Sequence, residues 1–297
     1  MTQPQYLAWF VNREKQHRGF LKMLARETPK QIMVVEAPAN MGKTWLIQVL
    51  RHECRAQDVP VTHFDFRDRR PWDYLTLVRQ ARDQLGPASF NPMTQLINDL
   101  TGIEIRLTTG PGRGEVSLGV ATEGGTLADS TVSVGDVAGR DIVKDNFFFV
   151  HADSERARRA VEIRITDAFF ACLVRLTEAR LAVFLFDSYE EVSQEADAWI
   201  QGQFLSRVRD GQLQNVLVVL AGRQVPALGS AWRHMVAHTG LEPFTPEHVR
   251  EYIVERRGLA DLDVGTIWRT SGGNPGLLGM MADIAAAESL GQDEDWL

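Results

Sequence analysis

Fully apolar runs alternate with amphipathic stretches along most of the chain, and this alternation predicts most of its elements. Ile32-Met33-Val34-Val35 reads as a buried strand, preceded by a helical stretch from about Phe20. A short loop, Ala37 to Thr44, follows it and leads into the helical text WLIQVLRHECR. Val61 to Phe66, after Pro60, reads as a second strand, and Pro71-Trp72-Asp73 then opens a helix that Gly86 closes. Leu181 to Phe186, ending in Asp187, and Val216 to Ala221, ending at Gly222-Arg223, have the continuous apolar character of strands covered on both faces. Between them, EEVSQEADAWIQGQFLSRVRDG is polar and helical. The alternation predicts a parallel sheet of at least four strands with helices on its faces.

Two stretches break the rhythm. Residues 102–150 hold short alternating runs, Ile103 to Leu107, Glu115 to Val120 and Thr131 to Val134, joined by glycine-rich turns. So long a segment is not one loop of a compact domain, so it reads as a β-rich insertion whose strand edges invite pairing with a partner or a second copy. From Pro243 onward the pattern is helical only, which predicts a small helical lid. The expected layout is a discontinuous core (1–101 and 151–242), an insertion (102–150) and a lid (243–297).

Composition narrows the classes. Of the 297 residues, 32 are Lys or Arg and 39 Asp or Glu, a net charge of −7. Nucleic acid held mainly through phosphate contacts is therefore not favoured, since it calls for a basic face. Two distant cysteines, Cys54 and Cys172, form neither a disulfide framework nor a zinc cluster. The N-terminus lacks a basic-then-apolar signal pattern, and there is no apolar run of about 18 residues. A cytoplasmic protein without a membrane span is expected.

The chemistry concentrates at the predicted strand ends. Ala37-Pro38-Ala39-Asn40-Met41-Gly42-Lys43-Thr44 fits the phosphate-loop pattern GxxxxGK[ST] at every fixed place except the first, where Ala37 replaces Gly. The N–H groups of such a loop and of the following helix N-terminus surround a β-phosphate. Lys43 would reach the β- and γ-phosphate oxygens, and Thr44 would ligate Mg²⁺. Asp187, just past a buried strand, is the candidate metal carboxylate. Glu190 is the candidate base for the attacking water, with Glu191 next in line. Arg223, at the end of another apolar strand, can sense or neutralise the γ-phosphate. Six of the seven tryptophans, Trp9, Trp45, Trp72, Trp199, Trp232 and Trp268, are dispersed and suit packing more than base stacking.

Taken in order, FVNRE at Phe10–Glu14, the phosphate loop, LFDSYEE at Leu185–Glu191, VVLAGR ending at Arg223, LEPFTPEHVREYI from Leu241 and SGGNPGLL from Ser271 resemble the motifs of STAND-type signal-transduction NTPases. These are relatives of AAA+ ATPases that include NACHT and NB-ARC proteins. The resemblance covers about residues 6–101 and 153–290. It implies an α/β P-loop NTPase domain of three layers with a parallel sheet and a C-terminal helical lid, here carrying the β-rich insertion. It also implies ATP or ADP with Mg²⁺ as cofactors, and Val11 to Arg13 on the adenine side. Pro275 matches the lid proline near the base, and Arg223 the sensor arginine. The nucleotide-binding set expected is Val11, Arg13, Pro38, Ala39, Asn40, Met41, Gly42, Lys43, Thr44, Trp45 and Pro275. The catalytic set is Glu190, Lys43 and Arg223, and the metal set Thr44 and Asp187. Many members continue into a winged-helix domain and repeats, whereas this sequence stops at Leu297, so a natural minimal form and a piece of a longer protein are both open.

The expected function is an ATP-controlled switch in which slow hydrolysis resets self-association or partner engagement, in bacterial signalling or defence. Two other readings stand beside it. One is an AAA+-like ATPase that remodels or loads a partner on DNA, and the other a scaffold in which nucleotide is structural and the insertion acts.

Overall fold

The computed structural model describes residues 5–68, 70–101, 104–109, 116–122, 125–126 and 155–292. In chain order the elements are α1 (Gln5–Ala8), α2 (Glu14–Leu24), β1 (Ile32–Glu36), α3 (Lys43–Ala56), β2 (Val61–Asp65) and α4 (Tyr74–Leu85). Next come α5 (Asn91–Thr101), β3 (Glu104–Thr109), β4 (Val116–Thr122), β5 (Gly125–Thr126) and α6 (Glu155–Thr177). The chain continues through β6 (Ala182–Asp187), α7 (Gln194–Trp199), α8 (Ser206–Arg209), β7 (Val216–Gly222) and β8 (Val236–Gly240). It closes with α9 (Pro246–Arg250), α10 (Val264–Ser271) and α11 (Pro275–Gln292). Helices α7 and α8 are one continuous rod through the π-helical turn Ile200–Leu205.

Five strands form a parallel sheet in the order β2-β6-β7-β1-β8. The three inner strands are the apolar runs, and β6 and β7 are buried at every position. This is the α/β architecture the alternation predicts, with one strand more than the four read from the sequence. The addition, β8, is an edge strand whose residues are buried only at Val236. Because all five run the same way, Glu36, Asp65, Asp187, Gly222 and Gly240 end on one edge of the sheet. A core of Phe20, Leu46, Ile47, Leu50, Val183 and Val219, with further apolar side chains, packs α2 and α3 on the sheet.

The chain divides into two compact units, residues 1–85 with 177–297 and residues 86–176. In the second unit, β3, β4 and β5 form an antiparallel sheet, with Leu107 opposite Leu118, and Phe90 stacks on Phe169 at 5.6 Å. The strand expected at Thr131 to Val134 lies outside the described residues.

The helical segment after Pro243 belongs to the first unit. Pro246 opens α9 behind a Thr245 cap paired with His248, and the Asp263 side chain caps α10. Phe244, Val249, Tyr252, Ile253, Ile267 and Leu278 form its small core, and Val11 from the N-terminal segment is inserted there. No helix among the described residues is long and apolar enough to cross a membrane.

Candidate nucleotide-binding site

The loop between β1 and α3 owes its shape to two residues in left-handed backbone. Gly42 caps α3 at φ 85°, a conformation that suits glycine, and Asn40 lies at φ 63°. Ala37 is not among the residues with positive φ, so the missing first glycine costs the loop no strain. Two of the loop's carbonyls are taken by donors from outside the loop. Arg13 Nη2 donates to Met41 O at 2.9 Å, and the Gly276 N–H at the start of α11 donates to Asn40 O at 2.9 Å. With those carbonyls engaged, the loop is held as a nest for an anion at the α3 N-terminus, where the helix dipole favours negative charge.

Lys43 is buried, and its ammonium donates to Ala37 O and Pro38 O, both at 2.7 Å. Burial lowers its pKa, while Glu190 and Asp187 pull the other way. The Thr44 hydroxyl donates to the Asp187 carboxylate. Asp187 has no exposed surface, and its Oδ2 has no hydrogen-bond partner. Burial raises its pKa, against the Thr44 bond. An orphaned buried carboxylate oxygen beside a threonine hydroxyl fits a divalent cation. Mg²⁺ needs few protein carboxylates, since it retains waters and takes substrate phosphates as ligands.

Glu190 and Arg223 are brought together. Arg223 Nε donates to Glu190 Oε1 at 2.7 Å, its backbone N–H to Oε2 at 2.7 Å, and its Nη2 to Glu191 at 2.8 Å. Burial alone would raise the Glu190 pKa, but the Arg223 bonds and the Lys43 charge bring it below its ordinary value. Gly222 makes this approach feasible, because a Cβ there would lie 2.8 Å from Glu190 Oε2. In this arrangement Glu190 is ionised, but both its oxygens are taken.

These groups surround a cavity of about 560 Å³. From the expected nucleotide set, Val11, Arg13, Ala39, Asn40, Met41, Gly42, Lys43, Thr44, Trp45 and Pro275 line it, as do Glu190 and Arg223. Pro38 and Asp187 do not; Pro38 serves through its carbonyl and Asp187 through Thr44. Arg13 is a loop clamp more than a free pocket side chain. It is 4% exposed, lies 5.2 Å over the Phe244 ring, and burial lowers its pKa to about 10.

Sequence reasoning missed several lining residues. Trp9 stacks on Trp45 at 6.2 Å, and the Arg257 guanidinium lies 3.8 Å over Trp9 while pairing with Asp283 at 2.6 Å. Two tryptophans that looked dispersed thus meet at the cavity wall, from segments that sequence distance separates. Arg67, Phe244, Tyr252 and Gly276 also line the cavity. For Gly276 there was a signal, the glycine flanking Pro275; for Arg67 there was none, as it is one of several arginines in a polar loop.

No protein-family model matches the chain, and no curated protein matches it in sequence. Among solved structures it is similar to the Thermotoga maritima RuvB Holliday junction branch migration motor, at 13% identity and a TM-score of 0.41 over 94% of this chain and 63% of that one. It is similar to a chain of an E. coli HORMA:CdnC:Trip13 complex at 12% identity and a TM-score of 0.42, covering 92% of this chain and 78% of that one. It is also similar to Cdc6p from Pyrobaculum aerophilum at 12% identity and a TM-score of 0.41, covering 86% and 52%. The chain thus spans 63% of the length of the RuvB chain. At such identities the partners and substrates of those proteins do not carry over to this one.

Proposed function

We propose that this chain is a nucleoside-triphosphate-controlled switch of the STAND type, in which slow Mg²⁺-dependent hydrolysis resets the contact between lid and core. The observation that carries this reading is the Gly276 N–H to Asn40 O bond of 2.9 Å, which ties the first turn of the lid helix to the loop that would hold the phosphates. A ligand on that loop acts on the same backbone that the lid grips. It can shift the lid only by binding its two positions with different affinity, and a shared loop is a direct source of such a difference.

Within this reading the α3 N-terminus and Lys43 hold the triphosphate, with Lys43 exchanging the Ala37 and Pro38 carbonyls for phosphate oxygens. Thr44 and Asp187 hold the metal. A bound Mg²⁺ supplies charge neutralisation at the phosphate oxygens. Arg223, once drawn to the γ-phosphate, releases Glu190 to take a proton from water, so hydrolysis waits on the breaking of the Glu190–Arg223 pair and is slow. Adenine as the base rests on the family resemblance, with Val11, Trp9 and Tyr252 as the apolar wall beside it. Self-association or partner engagement would follow lid position.

Nucleotide binding and turnover of the purified protein test the reading. Tight, Mg²⁺-dependent ATP binding with turnover far slower than a motor's supports a switch. Rapid turnover stimulated by DNA points to the remodelling ATPase, and binding without turnover to a scaffold.

A further inference from the structure

Asp65 and Asp187 end neighbouring parallel strands in direct register, β2 against β6. Strands in a sheet lie about 4.8 Å apart, so two carboxylates are set side by side, one of them without exposed surface. Two like charges so placed do not both ionise without a counter-charge. Arg67, two residues beyond β2, supplies it. Its Nε and Nη2 bind the two Asp65 oxygens at 2.9 and 2.7 Å, and its backbone N–H also donates to Asp65 Oδ1. The same Nη2 stands 3.8 Å from Asp187 Oδ2, the oxygen with no hydrogen-bond partner. Arg67 also lines the nucleotide cavity and is about half exposed. Its guanidinium is thus anchored on one carboxylate, faces the other, and opens onto the place for phosphates.

From this geometry we propose that Arg67 is a positioning residue that occupies the cation's place at Asp187 and gives it up only when a triphosphate arrives with the metal. The proposal rests on the assignment of Asp187 as the metal carboxylate. A divalent cation held by Thr44 and Asp187 would lie within a few ångströms of the guanidinium, and the two positive charges would compete for one buried oxygen. Free metal therefore meets a charge that has nowhere better to go. Metal carried with a triphosphate brings its own anion, and a planar fork of donors suits phosphate oxygens. Arg67 in this way makes metal binding conditional on nucleotide and keeps bare cations, abundant in any cell, from filling the site.

The test is Mn²⁺ binding to nucleotide-free protein, followed by electron paramagnetic resonance, together with ATP affinity measured with and without Mg²⁺. Arg67→Ala is expected to bind Mn²⁺ alone at least tenfold more tightly than the parent and to bind Mg²⁺–ATP several-fold more weakly. Arg67→Lys, which keeps the charge but loses the fork, should restore the low affinity for bare Mn²⁺. A merely structural Arg67 would not make the metal bind more tightly when removed. If Arg67→Ala, shown folded by its thermal transition, binds Mn²⁺ no more tightly than the parent, the proposal is overturned. Asp187→Asn separates this failure from that of the underlying assignment. If that variant keeps the parent's Mg²⁺ dependence of ATP affinity, Asp187 is not the metal carboxylate, whatever Arg67 does.

Discussion

Gly276→Ala changes no side chain assigned to phosphate or metal, yet it should weaken nucleotide binding. A Cβ at this position would lie 2.6 Å from the Asn40 Cβ and 3.2 Å from the Asn40 carbonyl oxygen, distances at which something must move. Neither neighbour is the free end of a flexible side chain, so the lid helix must lift from the loop. Overpacking of this kind costs roughly 1–3 kcal/mol, and losing the Gly276 N–H bond to Asn40 O costs about 0.5–1.5 kcal/mol more. Against this, alanine favours the α11 helix over glycine by about 1 kcal/mol. The net loss of roughly 0.5–3.5 kcal/mol in lid docking is a factor of about 2 to 300. If docking shapes the nucleotide site, apparent ATP affinity falls by up to that factor, while the unfolding midpoint changes little. The assay is titration with a fluorescent ATP analogue or by calorimetry. Asn40→Gly supplies the control, because glycine adopts φ 63° without strain and removes the Cβ that the new methyl would meet. The double variant should regain most of the lost affinity. Parent-like affinity in Gly276→Ala, or losses that simply add in the double variant, would refute the reasoning.

Other expectations follow from the same geometry. Glu190→Gln should leave Mg²⁺–ATP bound and slow hydrolysis by about two to four decades, as measured in single turnover; if Glu191→Gln does this instead, the base is misassigned by one residue. Gly222→Ala would set a methyl 2.7 Å from the Gln224 carbonyl oxygen and 2.8 Å from Glu190 Oε2, so it should shift the turn after β7, break the Glu190–Arg223 pair and alter turnover while ATP affinity stays within a few-fold; unchanged turnover would mean that the pair does not restrain Glu190. His63, whose buried Nε2 lacks a partner, has its pKa lowered to about 4, first by burial and then by the Arg51 charge. An unfolded chain takes up that proton near pH 6.5, so the stability due to neutral His63 is present above 6.5 and is lost as pH falls toward 4, by at most about 3 kcal/mol. Urea unfolding at both pH values should show a smaller pH effect in His63→Gln, and an equal effect would remove His63 from the account. Replacing residues 103–150 by a Gly/Ser linker should leave ATP affinity unchanged, because the described residues that line the cavity fall within 9–67 and 188–283; a large loss would bring that segment into the site.

How much of this could be read from sequence depended on whether a feature is local. The three inner apolar runs announce themselves because strands covered on both faces need continuous hydrophobicity, as in Ala182–Asp187. β8 was hidden because an edge strand exposes one side, and Ala237, His238 and Thr239 read as loop. The phosphate loop was legible from Gly42-Lys43-Thr44, since its chemistry lies in adjacent residues. Long-range pairings were not. Asp65 and Asp187 become neighbours only through the strand order, and Glu190 meets Arg223 only because β6 lies beside β7. Arg13 was assigned to the adenine side by resemblance, and its bond to Met41 O shows a second task, bracing the loop.

The central claim, that nucleotide on the phosphate loop controls the lid through their shared backbone contact, is tested most directly by amide hydrogen exchange with and without ATP and Mg²⁺. Peptides covering residues 37–44 and 272–284 are expected to change protection together, at the same ATP concentration, and neither should change in Lys43→Ala. A phosphate loop that responds to ATP while residues 272–284 exchange as before would contradict the account.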